Sequence, residues 1–97
     1  MIARVIIATI KPGHMEKVVQ ATQEHVVPDL DEIDGLESFY VMINNEDNTT
    51  LTIAVYDNKE NMLKQEQSGW LREKMGAMMN LAAKQPQIAY YEVPIKR

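Results

Sequence analysis

The sequence predicts an α+β fold whose elements follow one another in the order β-α-β-β-α-β. Apolar runs of strand length alternate with longer stretches in which apolar residues recur at helical spacing, and turn-forming residues separate them. Strand-helix-strand crossovers are right-handed in nearly all proteins. Two such units that run in opposite directions therefore place both helices on one face of an antiparallel four-stranded sheet, which is the ferredoxin-like, split βαβ arrangement.

Four segments are predicted to be strands because they are rich in β-branched and aromatic residues. They span residues 2–10, 36–44, 50–57 and 87–95. The first strand ends at Lys11-Pro12-Gly13, which is a turn signal. The polar residues 45–48 predict a hairpin turn between the second and third strands.

The first helical stretch is predicted to break near its middle. One apolar stripe runs along it at helical spacing and comprises Met15, Val18, Val19, Thr22, Val26, Leu30 and Ile33. Pro28 interrupts this stripe, and a proline suits the first turn of a new helix better than a helix interior. The acidic residues that follow Pro28 also favour a helix start. We therefore predict a break near residues 26–28 and an end at Gly35.

The second helical stretch is predicted to begin at Asp57 or Asn58, where Asp57 and Glu60 have the spacing of a capping box. Ser68-Gly69 predicts a kink or break within the stretch, and Gln85-Pro86 ends it. Its apolar residues include the single tryptophan and several methionines. The sequence thus predicts a second helix that is interrupted near its centre.

Both parities of the predicted strands are largely apolar, so the sheet needs cover on two faces. We assign to the helix-covered face Val5, Ile7, Phe39, Val41, Ile43, Leu51, Ile53, Val55, Tyr91 and Val93. We assign to the open face Ile6, Ala8, Ile10, Tyr40, Met42, Ala54, Tyr56, Ile88 and Tyr90, mixed with Arg4, Ser38, Thr50, Thr52 and Glu92. Arg4 and Glu92 should lie on neighbouring strands and form an ion pair. An exposed apolar patch of this size usually marks an interface, and a second copy packed sheet against sheet is the simplest cover.

Length, charge and composition exclude several classes of function. Ninety-seven residues predict a single domain over residues 1–97. A net charge of −4, with no basic cluster beyond Lys96-Arg97, disfavours a nucleic-acid surface. The absence of cysteine excludes disulfides, thiolate zinc sites and a cysteine nucleophile. No apolar run reaches the length of a membrane span and no signal-peptide pattern is present, so we expect a cytoplasmic protein without membrane contact.

Four short motifs lie at the ends of predicted elements. Lys11-Pro12-Gly13 follows the first strand, and an amphipathic helix leads into His25-Val26-Val27-Pro28. Asp34-Gly35-Leu36 precedes the second strand, and Ala54-Val55-Tyr56-Asp57 ends the third. Together these motifs resemble the antibiotic biosynthesis monooxygenase family of the dimeric α+β barrel superfamily, in which Pro-Gly-Phe often precedes the second strand.

The resemblance implies a barrel-like homodimer formed through the open sheet faces, with a pocket between sheet and helices in each subunit. Members oxidise quinols and polyketide-like aromatics without metal or flavin, so we expect no cofactor and a small aromatic or apolar ligand. Relatives that cleave haem use a histidine of the second helix as iron ligand, and Gln65-Glu66-Gln67 stands in that region here. Many members carry a tryptophan at the end of the third strand, where this chain has Tyr56.

Four residues are candidates for carrying chemistry, namely Trp70, Tyr56, Asn44 and His25. Trp70 either lines the pocket and stacks on a flat substrate or anchors the core. Tyr56 either donates a hydrogen bond to a phenolic or quinonoid ligand or packs in the dimer interface. His25 borders the apolar stripe of the first helix and could act as a base near neutral pH. The acidic stretch 29–37 lacks the spacing of an EF-hand, so no metal site is predicted.

Two functions from different classes fit these features. The first is a cofactor-independent monooxygenase acting on a small aromatic or quinol, whose own anion reduces oxygen inside a dry pocket. The second is a non-catalytic, dimeric protein that binds a small ligand, for example in a stress response. Oxygen uptake on substrate addition distinguishes the two.

Overall fold

The computed structural model describes residues 1–97 and contains a four-stranded antiparallel sheet that carries its helices on one face. The strands are β1 (Ile2–Thr9), β2 (Leu36–Asn44), β3 (Thr49–Tyr56) and β4 (Gln87–Glu92), in the spatial order β2-β3-β1-β4. The helices are α1 (Met15–His25), α2 (Lys59–Gln67) and α3 (Trp70–Met78), with short 3-10 helices over Val27–Glu32 and Met79–Leu81. All neighbouring strands pair antiparallel. This arrangement confirms the predicted ferredoxin-like α+β fold.

The break predicted in the first helical stretch is present. α1 ends at His25, and the 3-10 helix that starts at Val27 has Pro28 in its first turn. A proline has no backbone N–H to donate, so it fits the start of a helix but not the interior of a continuous one. Gly35 has φ +77° and turns the chain into β2, a conformation that favours glycine.

The second helical stretch is divided as predicted, because Gly69 adopts φ +86° between α2 and α3. Its predicted start at Asp57 or Asn58 is confirmed at Asn58, whose side-chain oxygen accepts a hydrogen bond of 2.8 Å from the backbone N–H of Asn61. Asn58 is therefore the N-cap, and the predicted capping box of Asp57 and Glu60 is wrong. None of the helices combines the length and the apolar character needed to cross a lipid bilayer.

The predicted assignment of strand residues to the two faces is right for β2 and wrong for β1, β3 and β4. Arg4, Ala54 and Phe39 lie side by side on adjacent strands and all line the space under the helices. The helix-covered face therefore carries Arg4, Ile6, Ala8, Phe39, Val41, Ile43, Thr50, Thr52, Ala54, Tyr56, Ile88 and Tyr90. The open face carries Val5, Ile7, Tyr40, Met42, Leu51, Ile53, Val55, Ala89 and Tyr91.

The physical reason is that polar residues line a cavity under the helices. Arg4, Thr50 and Thr52 have the composition of a solvent-facing strand surface, yet they lie beneath α1 and α3. When both parities of a strand are apolar, the pattern no longer fixes which parity faces the core. The open face is nevertheless apolar, as predicted, because the exchanged residues are themselves hydrophobic.

Two small core clusters lie at opposite ends of the helix-covered face. One contains Ile10, Met15 and Val18, against which Ala8, Met78 and Leu81 pack. The other contains Ala54, Tyr56 and Met62, against which Ile2, Ile33, Leu36 and Phe39 pack. Sheet and helices are in close contact at both ends, and a pocket lies between the two clusters.

The chain beyond β4 runs along one end of the sheet. Val93 donates a backbone hydrogen bond of 3.0 Å to the carbonyl of the first residue, and Lys96 Nζ lies 3.9 Å from Glu37 Oε2. Because β4 and β2 are the two edge strands, this segment spans the width of the sheet. Ala3 and Val55 lie at this end of the open face and are buried.

Candidate functional site

A pocket of about 120 Å³ lies between the sheet and the helices. The floor is formed by β1 and β3, which contribute Arg4, Ile6, Ala8, Thr50, Thr52 and Ala54. The opposite wall is formed by α3, which contributes Trp70, Leu71, Lys74, Met75 and Met78. Thirteen of the 19 lining residues are hydrophobic, so the pocket suits an apolar ligand. Because a dry cavity of roughly 150 Å³ is known to hold benzene, this pocket has the scale of one aromatic ring.

Arg4 is the buried charge of this pocket, with a side chain that is 3% exposed. Its Nη1 donates to Glu66 Oε2 at 3.3 Å and its Nη2 donates to the Tyr56 hydroxyl at 3.2 Å. The guanidinium carbon also lies 5.4 Å from the centre of the Tyr56 ring. Its Nε is buried without a hydrogen-bond partner. The predicted ion pair with Glu92 is wrong, because Glu92 lies opposite Ile2 and the partner of Arg4 is Glu66.

Glu66 is held from a second side by Tyr90. The Tyr90 hydroxyl donates to the two carboxylate oxygens of Glu66 at 3.0 and 3.1 Å. Burial raises the pKa of Tyr90 above its usual value, and the hydrogen bond to the Glu66 carboxylate raises this pKa further. Tyr90 is therefore a fixed donor, and Glu66 stays between Tyr90 and Arg4.

The indole of Trp70 is fixed by Asp29 in the 3-10 helix Val27–Glu32. Trp70 Nε1 donates to Asp29 Oδ2 at 2.9 Å, and Lys74 Nζ lies 3.0 Å from the same oxygen. The hydrogen bond from Trp70 is the main cause of a lowered pKa at Asp29, and Lys74 lowers this pKa further. These contacts tie α3 to the segment that follows α1 and hold Trp70 at the pocket wall.

The structure brings two of the four candidate residues to this region. Trp70 lines the pocket. Tyr56 lies next to Arg4 and is fully buried in a core cluster, at 0% exposure. It belongs to the helix-covered face and not to the open face on which the sequence analysis placed it.

Asn44 and His25 lie outside the pocket lining. Asn44 ends β2, and its side-chain oxygen accepts a hydrogen bond of 2.9 Å from the backbone N–H of Glu46 in the hairpin turn. His25 ends α1, where its exposed imidazole lies 3.9 Å from a carboxylate oxygen of Glu24. The geometry therefore groups Trp70 and Tyr56 with the pocket and leaves Asn44 and His25 at the surface.

Sequence analysis did not identify the polar partners that shape the pocket. One signal was present, because Arg4 is the only charged residue in an otherwise apolar first strand. Its partner Glu66 lies 62 positions away, and the Asp29 that binds Trp70 lies 41 positions from it. Local patterns carry no information about pairs of this separation.

The lining offers donors and apolar surface. Its ionisable groups are Arg4 and Lys74, and each cation is paired with a carboxylate. No group of three or more histidine or acidic side chains lies close enough together to hold a metal ion. The arrangement can therefore enclose an aromatic ring and donate a hydrogen bond to an oxygen atom on it.

Comparison with protein families gives one match. The sequence profile of the antibiotic biosynthesis monooxygenase family matches residues 1–74, which include β1, α1, β2, β3, α2 and the start of α3. No curated protein matches the sequence.

Solved structures share the fold at low sequence identity. A Nitrosomonas europaea protein presumed to be an antibiotic biosynthesis monooxygenase has a TM-score of 0.81 at 12% identity, covering 98% of this chain and 100% of the other. A Deinococcus radiodurans protein with the same presumed activity has a TM-score of 0.80 at 16% identity, and the match covers 100% of this chain and 96% of the other. A further Nitrosomonas europaea protein, of unknown function, has a TM-score of 0.80 at 13% identity, and the match covers 99% of this chain and 91% of the other. At such identities the similarity shows a common fold.

Proposed function

Because the chain belongs to the antibiotic biosynthesis monooxygenase family, we propose that it is a cofactor-independent monooxygenase that acts on a small aromatic or quinol substrate. The observation that carries this proposal is the pocket between the sheet and α3. It is mostly apolar, has the scale of one ring, and combines the aromatic wall of Trp70 with the buried guanidinium of Arg4. An apolar site excludes water, and its donors stabilise charge that develops on an oxygen atom.

In the proposed reaction a phenol and dioxygen give a quinone and one water molecule. The phenolate provides the electrons, so that a ring carbon forms a bond to one oxygen atom of O₂. The O–O bond then breaks, and the carbon becomes a second carbonyl. The released oxygen atom leaves as water with two protons, one from that ring carbon and one from the phenol hydroxyl. All four electrons that reduce O₂ come from the substrate, so no outside reductant is consumed. The protein provides the dry pocket and the hydrogen bonds that favour the phenolate.

Trp70 is the residue proposed to position the ring. Its indole nitrogen is bound to Asp29, so the side chain is held in one place at the pocket wall. Offset or edge-to-face contacts between aromatic rings contribute roughly 0.5–1.5 kcal/mol beyond the area that they bury. Tyr56 does not line the pocket. Its proposed role is to hold Arg4, because its hydroxyl accepts a hydrogen bond from the guanidinium.

The proposal includes a homodimer packed through the open sheet faces. Three large side chains of this face are exposed, with Tyr40 at 57%, Met42 at 45% and Tyr91 at 57%. Contiguous apolar surface of this kind is typical of an interface, and tyrosine and methionine are enriched there. A two-fold axis would let the same face of each protomer cover the other.

Oxygen consumption tests the proposal. Purified protein is incubated with a panel of phenols and quinols under isotopically labelled dioxygen, and one labelled atom is expected in the quinone and one in water. Trp70→Ala should lower the rate about tenfold through loss of one aromatic contact, whereas Trp70→Phe should keep most of it. Leu63→Ala on the exposed side of α2 is the control and should match the unaltered protein. A flat oxygen trace over the whole panel contradicts the proposal.

A second candidate is a non-catalytic dimer that binds a small ligand. It is favoured by one observation, which is that the lining holds no carboxylate or imidazole to remove a proton from a substrate. Native mass spectrometry of the purified protein tests it. An aromatic or apolar molecule that co-purifies while oxygen consumption stays at background favours this candidate over the monooxygenase.

A further inference from the structure

Most polar side chains of the pocket lining are already bound within the protein. The two cations, Arg4 and Lys74, are each paired with a carboxylate, and the hydroxyl of Thr22 donates to a backbone carbonyl of its own helix at 2.8 Å. The remaining polar side chains of the lining are Thr50 and Thr52, whose hydroxyls make no hydrogen bond within the chain. These two hydroxyls are therefore free to bind a ligand.

Both hydroxyls can be reached from the pocket. Thr50 and Thr52 lie on the helix-covered face of β3 and line the cavity. Among the buried and half-buried residues, Arg4 Nε is the one side-chain nitrogen or oxygen atom that is both sealed from solvent and unpaired. Because the two threonine hydroxyls are unpaired, they retain accessible surface. Thr50 as a whole is only 4% exposed, so its accessible part faces the cavity that it lines.

The neighbouring side chains supply no partner for these hydroxyls. The cross-strand neighbours of Thr50 and Thr52 on β1 are Ala8 and Ile6, which have no polar side-chain atom. A threonine hydroxyl donates one hydrogen bond and can accept two, and polar groups in a mostly apolar interior are nearly always paired. The site therefore favours a ligand that brings a polar atom to each hydroxyl.

The spacing of the two threonines limits the shape of such a ligand. Residues two positions apart point to the same face, and these side chains lie about 6.7 Å apart along β3 because a strand rises about 3.3–3.4 Å per residue. A six-membered ring with polar atoms at its opposite ends can contact both hydroxyls at once. Polar atoms on adjacent ring carbons lie closer together, so they can contact only one. The pocket of about 120 Å³ has room for one ring.

We propose that Thr50 and Thr52 are specificity-determining residues of this pocket, which bind two oxygen atoms at opposite ends of one ring. The ligand class is a ring compound with oxygen substituents in the 1 and 4 positions. The inference rests on the proposed function for the choice of an aromatic oxygen compound. It goes further in naming the hydroxyls that hold the ligand and the relative positions of its oxygen atoms.

Three isomers of one composition test the selection. Hydroquinone, resorcinol and catechol carry two hydroxyls in the 1,4, 1,3 and 1,2 positions, and calorimetric titrations are made without oxygen to keep them reduced. The unaltered protein should bind hydroquinone about fivefold more tightly than catechol, because one additional hydrogen bond forms. Quenching of Trp70, the single tryptophan, gives a second readout at the pocket wall. Equal affinity for hydroquinone and catechol, or no binding of hydroquinone, overturns the inference.

Four variants identify the hydroxyls. Thr50→Val and Thr52→Val keep a branched side chain but lack the hydroxyl, so the preference for hydroquinone should fall toward unity in each. Binding of toluene should persist in both, which shows an intact pocket. Thr52→Ser retains a hydroxyl and should retain the preference. Thr9→Val makes the same change on the open face of the sheet and should also retain it.

A preference for hydroquinone that persists in both Thr50→Val and Thr52→Val overturns the inference. The order of affinities on the unaltered protein tests the inference even if a valine variant does not fold. The binding test is also separate from the oxygen-consumption test. Selective binding of hydroquinone without oxygen consumption supports the role of the threonines and contradicts the monooxygenase. Oxygen consumption combined with equal binding of the three isomers supports the monooxygenase and overturns the role of the threonines.

Discussion

Arg4 is a charged residue within an apolar strand, and the fold tolerates it because two partners are built around it. Transfer of an isolated guanidinium into an apolar interior is costly. Here Glu66 compensates the charge and Tyr56 accepts a second hydrogen bond. Tyr56 comes from the neighbouring strand β3 and Glu66 from α2, so the cluster links β1, β3 and α2.

Arg4→Met should destabilise the protein by roughly 2–4 kcal/mol, somewhat less than a fully buried pair because Glu66 is partly exposed. The loss arises because Glu66 and Tyr56 both lose their partner. Urea unfolding measures it. Lys64→Met is the matched control, since its ion pair with Asp34 is 70% and 72% exposed and should contribute less than about 1 kcal/mol. Equal losses in the two variants contradict a structural role for the Arg4 cluster.

Asp29 should make the environment of Trp70 sensitive to acid. The folded pKa of Asp29 lies below its unfolded value, so its contribution to stability is present above that unfolded value and is lost as the pH falls through the folded pKa. We therefore expect Trp70 fluorescence to change below about pH 4. Asp29→Asn should remove this transition, because the amide carries no titrating charge. Asp34→Asn, at an exposed ion pair, should leave it unchanged, and an unchanged transition in Asp29→Asn contradicts the assignment.

Sequence patterns left Trp70 as either a pocket wall or a core anchor, and did not separate it from the candidates that lie at the surface. Trp70 follows Gly69 at the start of α3, and a side chain as large as that of tryptophan buries a large apolar area wherever it lies. His25 borders the same apolar stripe as buried residues, yet it is the last residue of α1 and points its imidazole to solvent. Asn44 binds its own turn, as asparagine commonly does. These outcomes depend on where α1 ends and on turn geometry, which the residue pattern does not specify.

At the level of elements, the breaks were predictable and the strand faces were not. Pro28 and Gly69 interrupt helices through the conformational properties of their own backbone, so each break can be predicted from the residue itself at its position. The face of a strand depends instead on its pairing partners. In β2 residues 39–43 are apolar on both parities, so alternation did not determine its correct assignment. β3 does alternate, but it presents Thr50 and Thr52 to the pocket and Leu51 and Ile53 to the open side, the reverse of the usual polar-out pattern.

Gly35 joins the 3-10 helix Val27–Glu32 to β2 and packs directly against the start of α2. A Cβ atom at this position would lie 2.5 and 2.9 Å from Nδ2 and Cβ of Asn61, and would also meet Asp57. Gly35→Ala should therefore cost roughly 1–2 kcal/mol for the positive φ and a further 1–3 kcal/mol for the overlap.

Gly13→Ala separates these two costs. Gly13 has a similar φ of +79°, but nothing lies within 4 Å of a Cβ placed there. It should lose only the conformational part, roughly 1–2 kcal/mol. Thermal or urea unfolding of both variants measures the difference, and equal destabilisation would show that the contact with α2 contributes nothing.

For the molecule as a whole, the helices cover only one face of a sheet that is apolar on both. A chain of 97 residues buries only roughly 60–65% of the surface that its unfolded form exposes. An uncovered apolar face is therefore a substantial fraction of the surface that stays exposed after folding. At one end of this face Ala3 and Val55 are buried. The central part, around Ile53 and its neighbours Val5 and Tyr40, has no cover within the chain.

Ile53→Lys should convert the proposed dimer to a monomer, because it places a charge at the centre of the open face, where burial against a second copy would be costly. The lysine can extend into solvent in a separate protomer, so the fold should persist by circular dichroism. Leu63→Lys introduces the same charge at an exposed position of α2 and should leave the association state unchanged. Sedimentation velocity at micromolar concentration measures both variants beside the unaltered protein. A monomeric unaltered protein would contradict the proposed dimer, and an Ile53→Lys variant that remains dimeric would place the interface elsewhere.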